Sequence, residues 1–160
     1  MNQWINPFSQ TVLLPCSKVN EWAGDANGLV GSDYEKVCKI DDYCGVIFKD
    51  NYQIIVFADE TNPQIWLESK AGIYLLRWHY AEKGDDLIEE SKKVIEKEEP
   101  LELLNITIKE SAQCLIDAIE EGTKSHRYAE VILQPGSYNI LTYYFKHLTN
   151  SGVIHLFKKI

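Results

Sequence analysis

The sequence predicts an α+β fold, a single domain over residues 1–160 built largely on antiparallel β-sheet. Three observations carry this. Short apolar runs recur along the chain, separated by turn signals such as Lys49-Asp50-Asn51 and Lys70-Ala71-Gly72, as strands joined in hairpins require. One long segment, 85–98, has clear helical periodicity. At 160 residues, folding buries roughly 70% of the unfolded chain's surface, and 45% hydrophobic with 25% charged residues is a globular composition.

In chain order, Val12-Leu13-Leu14 reads as a strand stopped by Pro15, and "SKVNEWAG" as a helical turn near 17–22 ended by Gly24. "DANGLVGS" is a loop. Ser32 then opens a short helix near 33–40, because Ser32 with Glu35 three residues on forms a capping box. Tyr34, Val37 and Cys38 fall at i, i+3, i+4 and are expected to form its inward face. "GVIFKDNYQIIVFAD" reads as two strands around a tight turn, since Asp50 and Asn51 tolerate positive φ. "QIWLES" and "GIYLLRWHYA" make a second hairpin.

In the clear helix, Leu87, Ile88, Val94 and Ile95 share one face, Asp85 or Asp86 can cap the start, and Pro100 ends it. Glu89 and Lys93 offer an i, i+4 pair worth about 0.3 kcal/mol. Ile106 and Ile108 alternate with Thr107 as in a strand. "AQCLIDAI" fits a helix or a strand equally. "EVILQPGSYNILTYYF" gives two strands around Pro135-Gly136, and "GVIHLF" a last strand after Asn150-Ser151-Gly152.

The charge limits the partners. Lys and Arg number 16 against 24 Asp and Glu, a net −8, which argues against nucleic acid or an anionic membrane and permits a basic protein. The start, "MNQWINPFSQTVLLP", lacks the basic and apolar regions of a signal peptide, and no run approaches the ~20 apolar residues of a membrane span. The four cysteines show no C-x-x-C spacing, so reduced thiols in a cytoplasmic setting are expected.

Chemistry is sparse. No glycine-rich nucleotide motif occurs. Cys38, Cys44 and the histidines 79, 126, 147 and 155 lack ligand spacing for zinc, so neither a metal nor a cofactor is expected. His79 reads as a hydrogen-bonded sheet residue. Cys44 could be a nucleophile beside Asp41 and Asp42, but those acids disfavour its thiolate. Cys38 is expected in the core. The acid pairs Asp41-Asp42 and Asp59-Glu60 sit at predicted element ends, where loops carry binding residues or simply form turns.

Several blocks together resemble one family. They are "LLP" (13–15), "WAG" (22–24), "SDYEKVCKIDDYCGVI" (32–47), "IIVFADE" (54–60) with Trp66, "LLRWHYAE" (75–82) and "ILQPGSY" (132–138). The chain is similar to the immunity protein 21 family of bacterial polymorphic-toxin systems. It departs from the family pattern at "PFSQT", before the first strand, and at "AQCLIDAIEEG". The resemblance implies a non-enzymatic cytoplasmic inhibitor that binds a cognate secreted toxin. Nucleases with basic clefts are one such class, and the contacts expected on this chain are Asp41, Asp42, Tyr43, Asp59 and Glu60. The competing reading is a small cytosolic enzyme with a carboxylate and cysteine site around Asp41–Cys44. A pocket lined by Asp41, Cys44 and His79 would favour it.

Overall fold

A computed structural model of the chain describes residues 3–59 and 61–160. It is α+β and mainly antiparallel, as the spacing of apolar runs predicts. The strands are β1 (Thr11–Pro15), β2 (Cys44–Lys49), β3 (Tyr52–Phe57), β4 (Gln64–Ser69), β5 (Gly72–Tyr80), β6 (Glu102–Ile108), β7 (Ala112–Asp117), β8 (Ala129–Ile132), β9 (Gly136–His147) and β10 (Asn150–Lys159). Two α-helices, α1 (Asp33–Cys38) and α2 (Gly84–Lys97), and a 3-10 turn over Cys16–Glu21 complete the order. The chain divides into two compact units.

One unit comprises Met1–Asn6, Asn62–Asn105 and Ser137–Ile160. Its sheet has the order β4-β5-β10-β9-β6. The β4–β5 turn is two residues, Ser69 facing Gly72. The β9–β10 turn falls at Leu148-Thr149, Leu148 taking φ 47°, with Asn150 already paired to His147; it precedes the expected Asn150-Ser151-Gly152 position. Helix α2 buries Leu87 and Val94, with Ile88 and Ile95 at the edge, against Tyr74, Leu76, Phe145, Ile154 and Leu156. Neither Asp85 nor Asp86 caps it: Lys83 is the N-cap and the two acids lie in the first turn, where they favour the positive end of the helix dipole. Glu89 pairs with Lys92 at 2.9 Å and Glu90 with Lys93 at 3.9 Å, so the pairs are i, i+3 rather than Glu89 with Lys93. His147 of β9 lies between two α2-side acids, Nδ1 2.5 Å from Glu90 and Nε2 2.7 Å from Glu98.

The other unit comprises Pro7–Thr61 and Ile106–Gly136. Its sheet has the order β2-β3-β1-β7-β8, with every neighbour pairing antiparallel. The ambiguous "AQCLIDAI" is therefore a strand: β7 is paired on both sides, and Cys114, Leu115 and Ile116 are all buried. A strand buried at nearly every position shows no alternation from which its period could be read. The β2–β3 turn holds Asp50 at φ 52°, as expected of a tight hairpin. The strands on either side of Pro135-Gly136 do not pair with each other; β8 joins β7, and β9 joins β10.

The core here gathers Val12, Leu14, Ile54, Val56 and Ile116 with Val19, Trp22 and Val37 from the short helices. The "WAG" block closes against the end of β7. Trp22 Nε1 donates to the Ala118 carbonyl at 2.9 Å, and Gly24 takes φ 56° with Ile119 O 2.4 Å from where a Cβ would sit. Gly122 is tighter still, with Val19 O 1.6 Å from such a Cβ. Cys16 and Cys114 form a disulfide between residues 98 apart in sequence. The expectation of four reduced thiols is thus corrected. The antiparallel register sets Leu14 opposite Cys114 and so brings Cys16 beside it, a proximity no local spacing reveals.

Candidate functional site

The segment 32–47 builds a corner of the second unit. Ser32 Oγ accepts from the Glu35 amide at 3.0 Å, and Glu35 reaches back to the Gly31 amide, one residue beyond the usual capping-box partner. The inward stripe of α1 differs from expectation. Val37 is buried and Tyr34 partly so, but Cys38 is exposed and Asp33 is buried instead. Asp33 accepts from the Ala23 amide at 2.9 Å and from Lys49 Nζ at 2.7 Å, so a paired acid rather than Cys38 joins Val37 on the inward side. Tyr34 OH donates to Gln10 Oε1 at 3.0 Å. Burial, then the Cys38 thiol and the Asp25 charge, hold the Tyr34 hydroxyl above its ordinary pKa. After the helix, Gly45 leaves room for Ile40, whose Cγ2 lies 2.7 Å from where a Cβ would be.

This corner delivers the predicted acids. Asp41 and Asp42 are exposed, and Tyr43 is half-buried just before β2. Asp59 is exposed at φ 70°, just past β3. The Ala58 amide donates to the Tyr43 carbonyl at 3.0 Å and continues the β2–β3 ladder one step beyond Cys44–Phe57. Asp41, Asp42, Tyr43 and Asp59 therefore leave the same end of one sheet. Glu60 lies outside the described residues.

Sequence reasoning missed the rest of this sheet end. The strand registers put Thr11, Phe57 and Asp117 in one row, so the segments 8–10 and 118–121 leave there too. An open cleft of about 440 Å³ is lined by Asp25, Ala26, Ile119, Glu120, Glu121 and Lys124. Asp117 is fully buried and is the hub. Its Oδ1 accepts the Phe8 amide at 2.9 Å and the Ser9 amide at 3.0 Å, and its Oδ2 accepts from Tyr128 OH at 2.5 Å. Burial, followed by the bond to Asp117, raises the Tyr128 pKa. These partners are more than 100 residues from Asp117 on one side, and only the folded register unites them.

The residues of the competing enzyme reading fall in both units. Cys44 is 4% exposed and sits opposite Phe57 in the ladder. Asp41 and Cys44 belong to the second unit and His79 to the first, where its ring lies 5.9 Å from that of Tyr144. One cleft in the first unit, of about 500 Å³, is lined by Trp4, Ile65, Trp66, Leu67, Glu68, Ile73, Asp85, Ile88 and Lys92, none of them in that set. Among the described residues, Cys16, Cys114 and Glu130 place three possible metal-ligand atoms within 4.8 Å, but the two sulfurs are bonded to each other. No described helix is long and apolar enough to cross a membrane.

No curated protein and no solved structure matches the chain. The family blocks read from the sequence map onto positions that fix the fold: Trp22 and Gly24 against β7, Gly45 against Ile40, and Arg77 fully buried in β5. The family model for immunity protein 21 matches residues 4–150, nearly the whole chain, and the protein belongs to that family.

Proposed function

We propose that this chain is a non-enzymatic inhibitor that binds a cognate secreted bacterial toxin in the cytoplasm of the producing cell and blocks it. Membership of the immunity protein 21 family supports the toxin-binding role. The toxin surface it fits is basic, such as the substrate cleft of a nuclease. Asp41, Asp42 and Asp59 present exposed carboxyl groups at one sheet end, Tyr43 lies beside them, and Glu60 follows Asp59 in the chain. The observation that carries this reading is the Ala58–Tyr43 hydrogen bond, which joins two acidic loops that sequence alone leaves separate. Acids at the rim steer the encounter, so they act mainly on the association rate.

The test uses the C-terminal domain encoded by the adjacent upstream open reading frame. Its expression should arrest growth, and co-expression of this chain should relieve the arrest. Asp41→Asn with Asp42→Asn should slow association several-fold at low salt and flatten its salt dependence. Arrest that this chain does not relieve would remove the reading.

A further inference from the structure

The acidic sheet end carries one side chain that its electrostatics do not explain. Phe8 is 82% exposed, while Pro7 and Ser9 on either side of it are buried. A single exposed apolar residue is ordinary on a protein surface. The setting of this one is not. The fully buried Asp117 accepts both the Phe8 and the Ser9 amides. The Gln10 carbonyl accepts the Ala118 amide at 2.8 Å, and the Gln10 side chain accepts from Tyr34 OH at 3.0 Å. Ser9 Oγ accepts the Ile119 amide at 3.3 Å. Three consecutive residues are thus fixed by hydrogen bonds to β7, its exit and α1. The one ring they display points away from the core that the same bonds serve.

We propose that Phe8 is the aromatic anchor of the partner-binding surface, inserted into an apolar socket on a basic protein partner. The proposal rests on the toxin-binding reading and deepens it by naming the residue that sets residence time. Charge selects the occupant. The segment 8–10 leads into β1, the middle strand of its sheet. On the β2–β3 side lie Asp41, Asp42 and Asp59, and on the β7 side lie Glu120 and Glu121, with Asp25 hydrogen-bonded to Ile119. Lys124 there is bridged to Glu121 at 3.0 Å, and Arg127 emerges one strand further, before β8. A ring between two acidic groups fits a basic rim around an apolar hollow. Because the turn is held before binding, little ordering is needed at contact, which is the condition under which one aromatic residue dominates an interface.

Phe48 provides the internal control. It is 71% exposed in the same unit, but it pairs with Gln53 at the opposite end of the β2–β3 ladder, beside the Asp50-Asn51 turn. Binding of the upstream-encoded toxin domain to immobilised chain is measured for wild type, Phe8→Ala, Phe8→Leu, Phe48→Ala and the Asp41→Asn/Asp42→Asn pair. Phe8→Ala should dissociate at least about tenfold faster with association changed less than about twofold, and Phe8→Leu should fall between it and wild type. Phe48→Ala should match wild type. Thermal midpoints should stay within about 2 °C throughout, since these are exposed sites.

Phe8→Ala dissociating like wild type, or Phe48→Ala equalling its effect, would overturn the anchor while the acids' effect on association still supports the toxin-binding reading. A midpoint drop in Phe8→Ala and Phe8→Leu would reassign the ring to stability and overturn it as well. Wild type failing to bind the domain at all would overturn both.

Discussion

The two units solve the same problem, covering one face of a five-stranded sheet, by different means. In the first, a 14-residue amphipathic helix lies over the sheet and buries Leu87 and Val94 in its core. In the second, the described residues offer a six-residue 3-10 turn and a six-residue helix. Their apolar faces are too short to hold by burial alone, and point anchors replace area: glycines at backbone contacts, Asp33 and Asp117 turned inward, and the Cys16–Cys114 bond. Broad apolar packing tolerates local change. Point anchoring concentrates sensitivity on a few atoms, and it also fixes loops in place, which is where binding residues are useful.

Gly122→Ala should break this contrast most severely. The new Cβ would overlap Val19 O, a backbone atom in the 3-10 turn that cannot swing aside, so a loss above about 4 kcal/mol is expected in denaturant titration. Asp117→Ala should come next, at about 3 kcal/mol. It strands the Phe8 and Ser9 amides and the Tyr128 hydroxyl, at about 1 kcal/mol each. Leu87→Ala should cost a similar ~3 kcal/mol through a cavity, but in the first unit and without altering the pKa of Tyr128. In Asp117→Ala that pKa, followed by ultraviolet titration, should fall toward the ordinary value, because one cause of its rise is gone.

The smallest effect concerns His147. Its bond to Glu90 first, and then the charges of Glu98 and Glu90, raise its pKa above 6.5 against a smaller opposing effect of burial. A raised folded-state value means the stabilisation is complete below about 6.5 and is lost as pH climbs through the folded pKa. The ring is 40% exposed, so solvent screening limits the gain to about 0.5–1 kcal/mol. The stability gap between wild type and His147→Gln should therefore be widest near pH 6 and close at alkaline pH. A gap that widened with pH would reverse the assignment.

What the sequence disclosed follows from range. The helix near 85–98, the β2–β3 and β4–β5 hairpins and the Ser32 cap depend on neighbours within a few residues, and each was legible. Periodicity misplaces Cys38 because α1 has fewer than two turns. There, one ion pair from Lys49 outweighs periodicity and rotates Asp33 inward. The disulfide and the Asp117 hub span about a hundred residues and depend on sheet register, which no local pattern encodes. Asp41, Asp42 and Asp59 are legible as loop acids, whereas their common sheet end and the company of Phe8, Glu120 and Glu121 follow from strand register alone.

The bond between Cys16 and Cys114 has a consequence for the chain as an object. It closes a covalent ring that contains both α-helices and strands β2 to β6, together with part of each unit. A protease that cuts once within that ring, for example in the loop before α1, opens it without releasing a fragment. The nicked protein would run at full mass until a reductant separated two pieces.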